Sequence, residues 1–123
     1  MLTGVVTAES YPDISAQELK ARLGQVVVLD CNGTDAYVEE HIPGSIDYLG
    51  GYLHLKRLLP ADKNALIVAY CGGNRCPMYK LGADDARRLG YRNIRHLSSG
   101  LQGWKELGYP ITSRARPSAI KGK

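Results

Sequence analysis

The run Ala65-Leu66-Ile67-Val68-Ala69-Tyr70 ends in Cys71 and opens directly into the loop Cys71-Gly72-Gly73-Asn74-Arg75-Cys76, with Pro77 behind it. An unbroken apolar run of this length, closed by glycines, suits a strand covered on both faces. A second such run, Val26-Val27-Val28-Leu29-Asp30, has the same character and also ends in a polar residue. Two strands of this kind need helices above and below them, and helical patterns lie in the right places. Ser15-Ala16-Gln17-Glu18 reads as a capping box for a helix to Leu23, with Gly24 as its stop. Asn32-Gly33 is a turn signal ahead of a helix through Tyr37, Val38 and Glu40. His41 to Ser45 reads as a turn into a short strand at Ile46-Asp47-Tyr48, and Leu53 to Leu59 as a helix ended by Pro60. Pro77 fits a first helical position. Behind it Tyr79, Ala83, Ala86 and Leu89 share one helical face, with Gly82 permitting close approach to a sheet and Gly90 as a stop. Arg92 to Leu97 reads as a further strand, and Leu101 to Leu107 as a helix ended by Gly108.

Strands alternating with helices predict an α/β fold with a central, mostly parallel sheet flanked by helices on both faces. With 123 residues, 44% of them hydrophobic, the chain suits one domain, expected over residues 1–111. Residues 112–123 carry Arg114, Arg116, Lys121 and Lys123 and no acid, and read as a basic, disordered tail. The other 12 Lys+Arg residues match the 12 Asp+Glu, so the net charge of +4 belongs to this tail. A nucleic-acid partner is therefore not expected. No apolar run is long enough to span a bilayer, and the N-terminus lacks the pattern of a signal peptide, so a cytoplasmic location is expected. No heptad or apolar patch suggests self-association, and a monomer is expected. Three cysteines, Cys31, Cys71 and Cys76, do not make a disulfide framework, and they form no zinc pattern with the scattered His41, His54 and His96. No metal or other cofactor is expected.

In parallel sheets, ligands bind beyond the carboxyl ends of the strands, which singles out Asp30 and Cys71. A thiol there, followed by Gly72 and Gly73, can have backbone N–H groups and a helix N-terminus beside it, the setting that favours a thiolate and holds an anion. Cys71 is the candidate nucleophile. Gly72, Gly73, Asn74, Arg75 and Cys76 are the candidate substrate-binding residues, with Arg75 suited to an oxyanion by its fork geometry. Cys31 reads as packed and inert, Asp30 as a structural acceptor, His41 as structural, and Trp104 as a core residue whose N–H needs a partner. Cys76 reads either as a packed helix cap or as a thiol that resolves a persulfide on Cys71 as a disulfide.

From Asp13 to Ile111 the chain resembles the rhodanese (sulfurtransferase) family. The resemblance lies in Ile14 to Leu19, Val28-Leu29-Asp30, His41-Ile42-Pro43-Gly44-Ser45-Ile46, Tyr70-Cys71, Gly90 to Ile94, and Ser99-Gly100-Leu101-Gln102-Gly103-Trp104. It implies a sulfurtransferase that moves sulfane sulfur from a donor such as thiosulfate to a thiol or cyanide through a Cys71 persulfide, with a sulfur-accepting protein as a further candidate partner. Two positions depart from the family pattern. Asp30 is followed by Cys31 and Asn32 where an arginine is common two residues on. Cys76 stands where many members place the loop's arginine, and Arg75 comes one position earlier. The alternative is a non-catalytic or redox-sensing carrier or regulatory module that uses Cys71 and Cys76. A thiol phosphatase or arsenate reductase fits less well, because phosphatase loops are longer.

Overall fold

The structure is a computed structural model, and it describes residues 11–73 and 76–113. Four strands form one sheet: β1 (Val27–Asp30), β2 (Ile46–Asp47), β3 (Ile67–Tyr70) and β4 (Ile94–His96). Their order is β2-β1-β3-β4 and every pair is parallel. Leu29 lies opposite Ala69 and Asp30 opposite Tyr70, so the carboxyl ends of the two central strands finish level. Among the described residues six α-helices surround the sheet: α1 (Ala16–Arg22), α2 (Thr34–Glu39), α3 (Tyr48–Gly51), α4 (Leu55–Leu58), α5 (Tyr79–Arg88) and α6 (Gly100–Glu106).

The period-two alternation of the strands divides the core in two. Leu29, Ile67 and Ala69 pack with Tyr48, Leu55, Ala83 and Ala86, which belong to α3, α4 and α5. Val28, Val68 and Tyr70 pack on the other face with Leu19 of α1 and Trp104 of α6. Helices thus cover both faces, as the unbroken apolar runs require. Among the described residues no helix is long and apolar enough to cross a membrane.

Several boundaries differ from the sequence expectation. No single helix spans Leu53 to Leu59. Tyr48 starts α3 instead of ending a strand, a 3₁₀ turn over Tyr52–His54 follows, and α4 runs only from Leu55 to Leu58. Leu49, Leu53 and Leu58 are exposed, so the apolar count there does not mark one buried stripe. Pro77 is not the first helical residue: α5 begins two residues later, after a turn in which Lys80 and Leu81 bond to the carbonyls of Pro77 and Met78. The far end of α5 does close at Gly90, where Gly90 N–H reaches Arg87 O and Tyr91 N–H reaches Ala86 O in a Schellman arrangement. Half of the Ser15 capping box forms: Ser15 Oγ accepts from Glu18 N–H at 3.0 Å. The Glu18 carboxylate turns away to Arg95 and Arg22, at 3.0 and 3.1 Å. Thr112 pairs with His41 through both backbone groups, which ties the chain's last described residues to the body. Residues 114–123, which carry the basic charges of the expected tail, lie outside the described residues.

Candidate active site

The strand–loop–helix layout puts Cys71 directly after the last residue of β3, at the carboxyl edge of the sheet. It has no exposed surface. Its sulfur is joined to that of Cys76 in a disulfide, with 6.2 Å between the two Cα atoms. The Cys76 carbonyl oxygen lies 3.3 Å from Cys71 Sγ and is placed to accept from the thiol once the bond is reduced. Cys76 is therefore not a cap for α5, whose preceding residue is Met78. It is the covalent partner of the candidate nucleophile. Asn74 and Arg75, two of the five candidate ligands, lie outside the described residues.

The loop is strapped to the start of α6. Leu101 N–H donates to Cys71 O and Gln102 N–H to Gly72 O, both at 2.9 Å. Two of the first donors of α6, which a helix leaves unsatisfied, thereby fix the backbone of the candidate nucleophile. This approach requires Gly100. Its φ is +66°, and a Cβ there would lie 2.6 Å from Gly72 C and Gly73 N. The sequence pattern Ser99-Gly100 marked the start of a helix but not this contact. Among the described residues no backbone carbonyl accepts from the Gly72 or Gly73 N–H. A cleft of about 410 Å³ borders the loop, lined by Gly72, Leu101, Gln102, Lys105 and Glu106. A larger groove, about 970 Å³, lies around Gly90 to Arg95, on the segment that leads into β4. It sits away from the strand ends at which parallel sheets bind ligands.

Beneath the loop, Asp30 is fully buried and accepts from Tyr70 O–H at 2.6 Å and from Asn32 N–H at 2.8 Å. Tyr70 Oη in turn accepts from Ile42 N–H at 3.1 Å, so one hydroxyl joins the end of β3, the end of β1 and the His41–Ser45 turn. Burial pushes the Asp30 carboxyl above the usual aspartate range, with the Tyr70 and Asn32 hydrogen bonds opposing it. Asp30 accepts two hydrogen bonds, in keeping with its reading as a structural acceptor. His41 is also structural, stacked on Tyr37 with Nδ1 2.6 Å from Tyr37 O. Trp104 Nε1 donates to Pro110 O at 2.7 Å.

Cys31 is free and buried, and burial pushes its thiol up to about 12. It faces Gly82 of α5, where a Cβ would come within 2.8 Å of its sulfur, so the glycine does permit the close helix–sheet approach. Asn32 was not a sequence candidate. Its Oδ1 lies 3.5 Å from where a Gly72 Cβ would be, and its Nδ2 is buried with no partner among the described residues. The sequence signal was present, since this is the position at which the family pattern has arginine.

The rhodanese-like domain family matches residues 15–107. An HTH-type transcriptional regulator of Mycobacterium tuberculosis is 33% identical over 92 residues, which is 75% of this chain and 40% of that protein; the chain thus spans well under half of that relative's length. Among solved structures, the rhodanese-like domain of a protein from Anabaena sp. superposes with a TM-score of 0.70 at 23% identity, covering 93% of this chain and 88% of that one. Thiosulfate sulfurtransferase from Pseudomonas aeruginosa superposes with a TM-score of 0.66 at 24% identity, over 84% of this chain and 20% of that one.

Proposed function

This chain belongs to the rhodanese-like domain family, and on that premise we propose that it is a sulfurtransferase carrying sulfane sulfur on Cys71. The carrying observation is the place of Cys71: it follows β3 at the carboxyl edge of the sheet, and α6 holds its backbone still. In this reading the Cys71 thiolate attacks the outer sulfur of thiosulfate. The sulfur–sulfur bond of the donor breaks, sulfite leaves, and Cys71 keeps the sulfur as a persulfide anion. A thiol or cyanide acceptor then attacks that outer sulfur and Cys71 leaves as thiolate. Gly72, Gly73 and Asn74 supply loop contacts to the anion, and Arg75 attracts the sulfur oxyanion of the donor.

The test is sulfite release from thiosulfate, with cyanide as acceptor, by protein kept reduced with a dithiol. Activity should be present in the wild type and absent in Cys71→Ala. An inactive wild type, or activity that survives the substitution, sinks the reading.

One observation favours a second reading. Cys71 and Cys76 form a disulfide, which suits a redox-sensing rhodanese-like module, and the likeness to a transcriptional regulator is consistent with such a module inside a larger protein. A chain that cycles between dithiol and disulfide but never takes up sulfur would favour that reading over the first.

A further inference from the structure

The two halves of the Cys71–Cys76 bridge are unequal. Cys71 is wholly buried, and its own carbonyl and that of Gly72 are held by α6. Cys76 is partly exposed, and its N–H bonds back to Gly73 O at 3.2 Å. The 6.2 Å between their Cα atoms falls inside the span a disulfide covers, about 4.4–6.8 Å, so the second sulfur reaches the first with the strand and helix where they are. A thiol arriving from solvent meets the partly exposed Cys76 before it meets the buried inner sulfur of Cys71. The Cys76 thiol already stands against it, and reaction within one short loop outruns reaction between molecules.

We infer that Cys76 is the resolving thiol of the Cys71 persulfide, so that sulfur leaves this protein as hydrosulfide and a dithiol reductant resets the site by attacking Cys76. The inference rests on the persulfide reading above and adds the fate of the sulfur and the class of the second substrate. The Cys76 thiolate attacks Cys71 Sγ. The bond from Sγ to the outer sulfur breaks, and the outer sulfur departs with that electron pair as hydrosulfide. The sulfane sulfur is reduced to sulfide while two thiols are oxidised to the disulfide. One thiolate of the reductant then attacks Cys76, the more accessible sulfur, and Cys71 leaves as thiolate. The reductant's second thiol closes its own disulfide and frees Cys76. Over one cycle, thiosulfate and a dithiol become sulfite, hydrosulfide and a disulfide.

The test is a single turnover without added thiol. Protein is reduced, freed of reductant under anaerobic conditions, and mixed with one equivalent of thiosulfate; sulfite, hydrosulfide and intact mass are then followed. Wild type should release one equivalent each of sulfite and hydrosulfide and end two hydrogens lighter than the reduced protein. Cys76→Ser and Cys76→Ala should release sulfite, stop one sulfur atom heavier, and give no hydrosulfide until a thiol is added. Circular dichroism of both variants confirms that they are folded. A wild type that keeps its sulfur as the variants do overturns the inference and leaves the persulfide reading standing. Protein that releases no sulfite and gains no sulfur, wild type and variants alike, removes the persulfide and the inference together. For the reset, oxidised protein is treated with 2-mercaptoethanol as a monothiol probe, quenched with iodoacetamide and mapped by peptide. The mixed disulfide belongs on Cys76; one found on Cys71 overturns the order of attack.

Discussion

Tyrosine does the aromatic work of this chain: it has eight tyrosines and no phenylalanine. The hydroxyls explain the choice. Tyr11 donates to Asp84, Tyr48 to Asp85, Tyr91 to Pro60 O, Tyr37 to Ser45 O and Tyr70 to Asp30, so each ring fills apolar space while its tip ties two segments together. Tyr70 has the most at stake, because its hydroxyl satisfies both a buried carboxylate and the Ile42 N–H. Tyr70→Phe leaves both without that partner. It should cost about 1–3 kcal/mol in urea unfolding, and a loss near zero would show that the network carries no net stability. Asp30 yields a pH prediction. Its folded pKa is raised above the unfolded value of about 3.9, so the native state binds the proton more tightly than the unfolded chain does. The contribution of Asp30 is full below that unfolded value and is lost as pH rises through the raised one. Glu18, held low first by its hydrogen bond to Arg95, slopes the other way, so only a difference isolates Asp30. The stability of wild type minus that of Asp30→Asn should fall as pH rises from about 4 through the raised value. Urea titrations of both proteins at a series of pH values check this, and a rising difference would contradict it.

At the scale of elements, the loop and α6 act as one unit. Gly100→Ala should test this, since it adds a left-handed strain of about 1–2 kcal/mol and drives a Cβ into the Gly72 and Gly73 backbone. Gly108→Ala is the matched control: φ there is +75° and nothing lies within 4 Å of the added atom. Both variants should lose stability, but Gly100→Ala should also slow the proposed sulfur loading of reduced Cys71 by roughly tenfold or more, because the backbone of the proposed nucleophile is displaced. Equal loading rates in the two variants would show that the strap does not position Cys71. Elements whose signal is local were legible in the sequence. The runs 26–30 and 65–70 supply β1 and β3 because both faces are buried, and Ser15 caps α1 because its hydroxyl reaches only three residues ahead. The stretch from Leu49 to Leu58 misled, because exposed leucines resemble a core stripe when only composition is visible. Within the site, Cys71 was legible from its strand end. Its strap by Leu101 and Gln102, the turn of Glu18 to Arg95, and the place of Asn32 were not, because each depends on a segment far away in the chain.

For the molecule as a whole, the proposed sulfur chemistry requires a fold that survives with the bridge open. In the proposed cycle Cys71 must be a thiolate to attack, so the reduced protein is the form that starts it. Two cores on opposite faces of one sheet, each closed by helices, do not depend on the bridge for their burial. The disulfide closes only the short loop between residues 71 and 76, and loop-closure entropy for so few residues contributes about 2 kcal/mol. Reduction by a dithiol should therefore lower the unfolding free energy by about that amount while unfolding stays a single cooperative transition. Urea denaturation followed by near-ultraviolet and far-ultraviolet circular dichroism in parallel distinguishes the outcomes. If the near-ultraviolet signal is lost on reduction before any denaturant is added, side-chain packing depends on the bridge. A reduced Cys71 would then lack the ordered backbone that sulfur transfer demands, and the oxidised state would be the only one in which this fold holds the site together.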